Sequence, residues 1–151
     1  MDQEIKTNDH MEGNVDLLEI REKVGTLCSN TIVFSEMVYL KTITGERVYT
    51  LKHNPEIITG KKDELGDLFL MFEMFEHLEI NKKVRDIAFR YIITYGLLPD
   101  DAVILATCKF YGIKYLISFD SDFSGACEKE GVTLIDSKEK LNKIIKSGDS
   151  K

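Results

Sequence analysis

Apolar residues along the chain fall into two patterns, and their alternation predicts the architecture. Short runs without polar alternation, at Thr31–Phe34, Tyr115–Phe119 and Val132–Ile135, read as strands buried on both faces. Elsewhere the spacing is helical. Val15, Leu17, Leu18, Ile20 and Val24 support a helix over Asn14–Val24 that Gly25 ends, and Ser35 opens a second helix that Gly45 stops. Residues 46–60 are ambiguous, with short helical pieces broken at Asn54-Pro55 and Gly60. Leu65, Leu68, Phe69, Phe72 and Phe75 form a helical stripe, widened by Leu70, Met71 and Met74 into apolar cover on more than one face. His77–Ile80 alternates as an edge strand does. Val84, Ile87, Ala88, Tyr91, Ile92 and Tyr95 then fit the helical period over Asn81–Tyr95, with Gly96 as its end. A helix opening at Pro99 and closed by Gly112, a short helix over Phe123–Lys129 and a last one over Lys138–Ile145 complete the series. Helices alternating with short buried strands predict an α/β domain around a mostly parallel sheet. The reading gives one domain over residues 14–147, with polar tails at 1–13 and 148–151.

That arrangement gives three acids a common address. Glu36 follows the first predicted strand, Asp101 lies in the first turn of the Pro99 helix, and Asp120 and Asp122 follow the second strand directly. Ligand sites of open parallel sheets lie outside the carboxyl ends of the strands. Carboxylates gathered there without a basic partner repel one another unless a cation neutralises them, so the chemical reading is a Mg²⁺ or Mn²⁺ site. Each acid also has a purely structural role open to it: Glu36 and Asp101 can favour a helix dipole, and Asp120-Ser121-Asp122 can be a turn that caps the next helix.

Composition narrows the setting. At 151 residues the chain can bury a real core. No apolar run is long enough to span a membrane and the opening residues lack a signal-peptide layout, so the expected location is cytoplasmic. Cys28, Cys108 and Cys127 are odd in number and widely spaced, which favours buried thiols over disulfides or zinc, and His10, His53 and His77 form no ligand motif. The net charge of −6 argues against a protein that coats nucleic acid, but not against a nuclease, because a metal can bind phosphate as Lys and Arg do. Lys41, Arg47, Lys82 and Arg85 could steer a phosphate, although solvated surface charge explains them as well.

From Asn14 to Ile135 the sequence resembles a PIN domain, the fold of VapC-type toxin ribonucleases and related RNA-processing nucleases. The resemblance is carried by Gly96-Leu97-Leu98-Pro99-Asp100-Asp101-Ala102-Val103-Ile104-Leu105-Ala106 and then by Leu116-Ile117-Ser118-Phe119-Asp120-Ser121-Asp122-Phe123, with Ile32-Val33-Phe34-Ser35-Glu36 as a weaker match. It implies a three-layer α/β/α fold. It also implies that Glu36, Asp101 and Asp120 hold one or two Mg²⁺ or Mn²⁺ ions, assisted by Asp122, to activate water against an RNA phosphodiester. An antitoxin partner and a homodimer follow from the same resemblance, with Leu65–Phe75 as the segment for the contact between copies.

One departure stands out. PIN domains begin with a strand ending in a metal-binding Asp, and residues 1–13 carry no apolar strand; Asp2, Asp9 and Asp16 are candidates by residue type alone. A truncated chain and a lineage that lost the strand both account for this. Two functions follow: a metal-dependent endoribonuclease, the toxin of a toxin–antitoxin pair, or a catalytically impaired or truncated module that binds RNA or a protein without cutting.

Overall fold

The computed structural model describes residues 17–118 and 120–149. Its elements in order are α1 (Leu17–Lys23), β1 (Cys28–Asn30), α2 (Thr31–Ile43), α3 (Val48–His53), α4 (Glu56–Thr59), α5 (Lys62–Phe72), β2 (Glu76–Leu78), α6 (Lys82–Tyr95), α7 (Pro99–Phe110), β3 (Tyr115–Ile117), a 3₁₀ turn (Ser121–Phe123), α8 (Ser124–Glu130), β4 (Thr133–Ile135) and α9 (Lys138–Asp149). Helices alternate with parallel strands, as the PIN-like α/β/α reading requires.

The first strand needs a correction. Thr31–Phe34 is the opening turn of α2, and the strand is Cys28–Asn30 just ahead of it. Asn30 decides the boundary. Its side-chain oxygen accepts the Val33 N–H at 2.9 Å, capping the helix, while its Nδ2 donates to Thr107 Oγ1 at 2.9 Å. Asn30 is fully buried, so both bonds replace water it has lost. Ser35, expected as the cap, lies inside the helix.

The remaining strands lie close to their expected positions and are shorter. β2 is shifted one residue from His77, and its only buried residue is Leu78. The predicted Phe119 end of β3 falls outside the described residues. The ambiguous stretch resolves into α3 and α4, joined through Asn54-Pro55.

Among the described residues the sheet is divided. β1 pairs in parallel with β2, Cys28 opposite Glu76 and Asn30 opposite Leu78. β3 pairs in parallel with β4, Tyr115 opposite Thr133 and Ile117 opposite Ile135. In place of one central sheet, the described residues form two separate two-stranded ladders.

The core is organised around α7. Ala102, Ile104, Leu105, Ala106, Thr107 and Cys108 are all buried, so most of its circumference is covered. It packs chiefly on α6 and also touches α2 and β3. α6 offers Val84, Ala88 and Tyr91, and the small Ala88, Ala102 and Ala106 let the two axes approach. Gly96 makes the turn between them possible: it sits at φ 67° and donates its N–H to Ile92 O at 3.0 Å, a left-handed helix end that a side chain would strain. A second, smaller cluster of Ile20, Ile117, Ile135 and Leu141 lies apart from the first. On α5, Leu68 is buried and Phe72 stacks edge-on against Phe34 and Phe75, while Phe69 (53% exposed) and Leu70 (66%) face outward.

Candidate functional site

Asp101 lies in the first turn of α7 with Asp100 beside it, after Pro99 at the start of the helix. Leu98 precedes them and offers no side-chain cap, so the amides of that turn depend on the neighbouring acids and on the favourable end of the dipole. Asp100 is exposed and Asp101 half-buried. Glu36 is half-buried in the second turn of α2, deeper in the helix than the sequence had put it.

Asp120 is held by its own loop. Its N–H donates to Ser118 Oγ at 3.2 Å, and its Oδ1 accepts the Asp122 N–H at 2.9 Å. Ser118 is buried and donates its own N–H to Ile135 O at 3.1 Å, tying this loop to the end of β4. The turn expected at Asp120–Asp122 is therefore present, and it leads into the 3₁₀ turn before α8. It also fixes the Asp120 carboxylate while leaving it exposed, so the structural and the chemical roles are compatible. Asp122 is exposed as well, and neither acid has a basic partner among the described residues.

The elements that carry these acids adjoin: α2 packs on α7, and α7 on β3. The Asn30–Thr107 bond pins the start of α2 to the middle of α7. Among the described residues, however, no three His, Cys, Asp or Glu side chains are grouped closely enough to cage a metal. Asp2, Asp9 and Asp16 lie outside those residues. The available donors are all carboxylate oxygens. That set fits Mg²⁺ or Mn²⁺, since Mg²⁺ keeps several waters and takes only one or two protein carboxylates.

A different cluster is built around the Glu130 carboxylate. Tyr91 donates to Glu130 Oε1 at 2.8 Å, Tyr95 donates to Glu130 Oε2, and Lys109 Nζ donates to the Glu130 carbonyl at 2.9 Å. The Tyr95 bond, opposed by burial and reinforced by Tyr91, holds the Glu130 carboxyl below its ordinary value. Burial and then Glu130 push the Tyr91 hydroxyl up. Lys109 is eight residues beyond Asp101 on α7, about 12 Å along the axis. The cluster thus stands at the far end of that helix and clamps α6, α7 and α8 together.

Asn30, Thr107 and Ser118 are the residues that sequence reasoning missed. Only Asn30 left a signal: an Asn directly before an apolar run at helical spacing is a start mark for a helix.

A family model described as "PIN domain" matches residues 8–129. Ribonuclease VapC2 of Methanocaldococcus jannaschii is 39% identical over 120 residues, covering 76% of this chain and 79% of that relative. Ribonuclease VapC6 of the same organism is 38% identical over 106 residues, covering 64% of this chain and 69% of its own length. No solved structure matches. No described helix is long and apolar enough to cross a membrane.

Proposed function

This chain belongs to the PIN-domain family, and from that premise we propose that it is a metal-dependent endoribonuclease, the toxin of a toxin–antitoxin pair. The likeness to two proteins named as ribonucleases supports the activity. The observation that carries the site is the Asp120 loop, where a carboxylate is fixed by the Asp122 amide and left without a basic neighbour among the described residues. Glu36, Asp101 and Asp120 are the residues that would hold Mg²⁺ or Mn²⁺. Asp122 is the acid that would accept a proton from, or orient, the attacking water. A bound divalent ion supplies a lowered water pKa and countercharge for the phosphate. The chain's own part is positioning: Ser118 and the Asp122 amide hold Asp120, and the Asn30–Thr107 bond holds α2, with Glu36, against α7, with Asp101.

The test is cleavage of a mixed structured RNA with Mg²⁺ or Mn²⁺, with Asp101→Asn and Asp120→Asn beside the parent. The expected outcome is metal-dependent cutting that falls about 100-fold or more in both variants. Cutting that survives both substitutions removes these acids from the site. The second reading is a module that binds RNA without cutting it. A parent that binds RNA but leaves it intact under both metals would establish it.

Partner contacts fall to α5 in the same proposal. Phe69 and Leu70 are exposed, and Phe69 lines a groove of about 300 Å³ with Phe34, Phe72 and Phe75, whose polar wall is Ser29, Glu73 and His77. An exposed apolar surface of this kind suits a second copy of the chain. Sedimentation should find a dimer for the parent and a monomer for Leu70→Lys; a variant that still dimerises assigns the contact elsewhere.

A further inference from the structure

We propose that the outer face of α9 binds the phosphate backbone of an RNA strand and leads it to the Asp120 loop. The ligand rests on the ribonuclease reading, while the surface lies outside the matched family region, which ends at residue 129. Over Lys138–Lys146 the helix carries Lys138, Lys140, Lys143 and Lys146 against the single acid Glu139, in a chain whose net charge is −6. Its other face is apolar. Leu141 is buried against Ile20, Ile117 and Ile135, and Ile144 and Ile145 pack on the same cluster. With 3.6 residues per turn, Lys140, Lys143 and Lys146 all fall on the half of the helix turned away from Leu141, and all three are exposed. From Lys140 to Lys146 this row runs about 9 Å along the axis.

The row starts at the candidate site. Ile135, the last residue of β4, accepts the Ser118 N–H at 3.1 Å, and Ser118 Oγ accepts the Asp120 N–H at 3.2 Å. Asp136 follows directly and pairs with Lys140 Nζ at 2.8 Å, and Ser137 Oγ accepts the Lys140 N–H at 3.2 Å. Lys140 is thus tied down beside the loop. Lys143 and Lys146 have no ion pair among the described residues, so their charge is left for a ligand. The acids of the site repel an approaching phosphate backbone, and a cationic row beginning beside them offsets that repulsion. Lysine grips phosphate as a point charge on a flexible stem and reads no base. The row therefore supplies affinity and direction, and no sequence preference.

The test follows binding of a short fluorescent oligouridylate to the full chain by anisotropy, with divalent ions chelated so that no cutting intervenes. Potassium chloride is varied from about 50 to about 200 mM. Lys143→Gln with Lys146→Gln should weaken binding about tenfold or more at the low-salt end. It should also flatten the slope of log affinity against log salt by about 1.4, as the loss of two contacts to a single strand would. Lys143→Arg with Lys146→Arg should keep the parent affinity. Lys52→Gln with Lys83→Gln makes the same charge change at exposed positions of α3 and α6 and should leave binding close to the parent. An unchanged slope, an equal loss in that control, or a parent that binds no RNA would overturn the surface. Tighter binding of polyglutamate than of oligouridylate would replace RNA by an acidic protein segment. Adding Mg²⁺ or Mn²⁺ separates the two readings. A parent that binds through α9 and leaves RNA intact keeps the surface and removes the nuclease. A parent that cuts should show a raised KM and an unchanged kcat in the glutamine variant, and an unchanged KM there keeps the nuclease and removes the surface.

Discussion

The α6–α7 hairpin and the cleft beside β3 are made of the same kinds of residue and end in opposite states. In the hairpin, Val84, Ala88 and Tyr91 meet Ala102, Ile104 and Leu105 with nothing left exposed between them. Around the cleft, Ile20, Ile117, Ile135 and Leu141 are as apolar, yet they form a separate small cluster bordering open space. Connection makes the difference. Two consecutive helices joined by a tight turn satisfy their backbones internally and need only side-chain fit. A strand satisfies its two edges through neighbouring backbone or water, and β1 and β3 each have one strand neighbour among the described residues. Apolarity alone does not close a core.

The largest effect expected from this contrast is on stability. Leu105→Ala should cost about 4 kcal/mol, because it empties a site packed on all sides. Leu141→Ala removes the same atoms beside an existing cleft and should cost about 2 kcal/mol. Chemical denaturation of both variants checks the pair, and equal costs would mean that the cleft is as tightly held as the hairpin. Asn30→Ala comes next, at about 2 kcal/mol, since it removes a helix cap and leaves Thr107 without its partner in the core. A loss confined to a few tenths would show that α2 is held by its apolar face alone.

The smallest effect concerns pH at the far end of the hairpin. The Glu130 carboxyl lies below its ordinary value when folded, so it stabilises the fold above the unfolded value and loses that contribution as pH falls through the folded one. Parent stability should therefore decline on acidification below the ordinary glutamate range. Glu130→Gln should lie about 1 kcal/mol lower at neutral pH and converge on the parent in acid. Parallel pH curves for the two proteins would remove Glu130 as the source. The substitution does not touch the acids at the other end of α7.

The helices were legible because their signals are local. Asn81–Tyr95 showed its period and its closing glycine, and the structure has Lys82–Tyr95, with Asn81 outside the helix as the cap that accepts the Val84 N–H at 2.9 Å. The first strand was misread because Thr31–Phe34 is β-branched and apolar, a composition that suits a strand or a buried helical turn equally well. Asn30 was the local mark that tips the balance, and its bond to Thr107, 77 residues away, is the part that no local pattern carries. The division of the sheet among the described residues was hidden because pairing is a relation between distant segments. Of the acids, sequence gave the loop of Asp120 and Asp122 and the helix start at Asp101. The depth of Glu36 moved with the corrected strand.

The order along the chain also sets an order in time. α6 and α7 are consecutive, and β3 meets β4 after only a short helix, so these contacts close small loops early in folding. β1 must wait for β2 across α2 to α5, the longest closure among the ladders. A refolding chain therefore passes through a stage in which the hairpin is formed and β1 has not yet met β2. Bare strand edges in such a species attract edges on other chains. Refolding yield should fall as chain concentration rises, with the damage starting at Cys28–Asn30 rather than at the apolar face of α5.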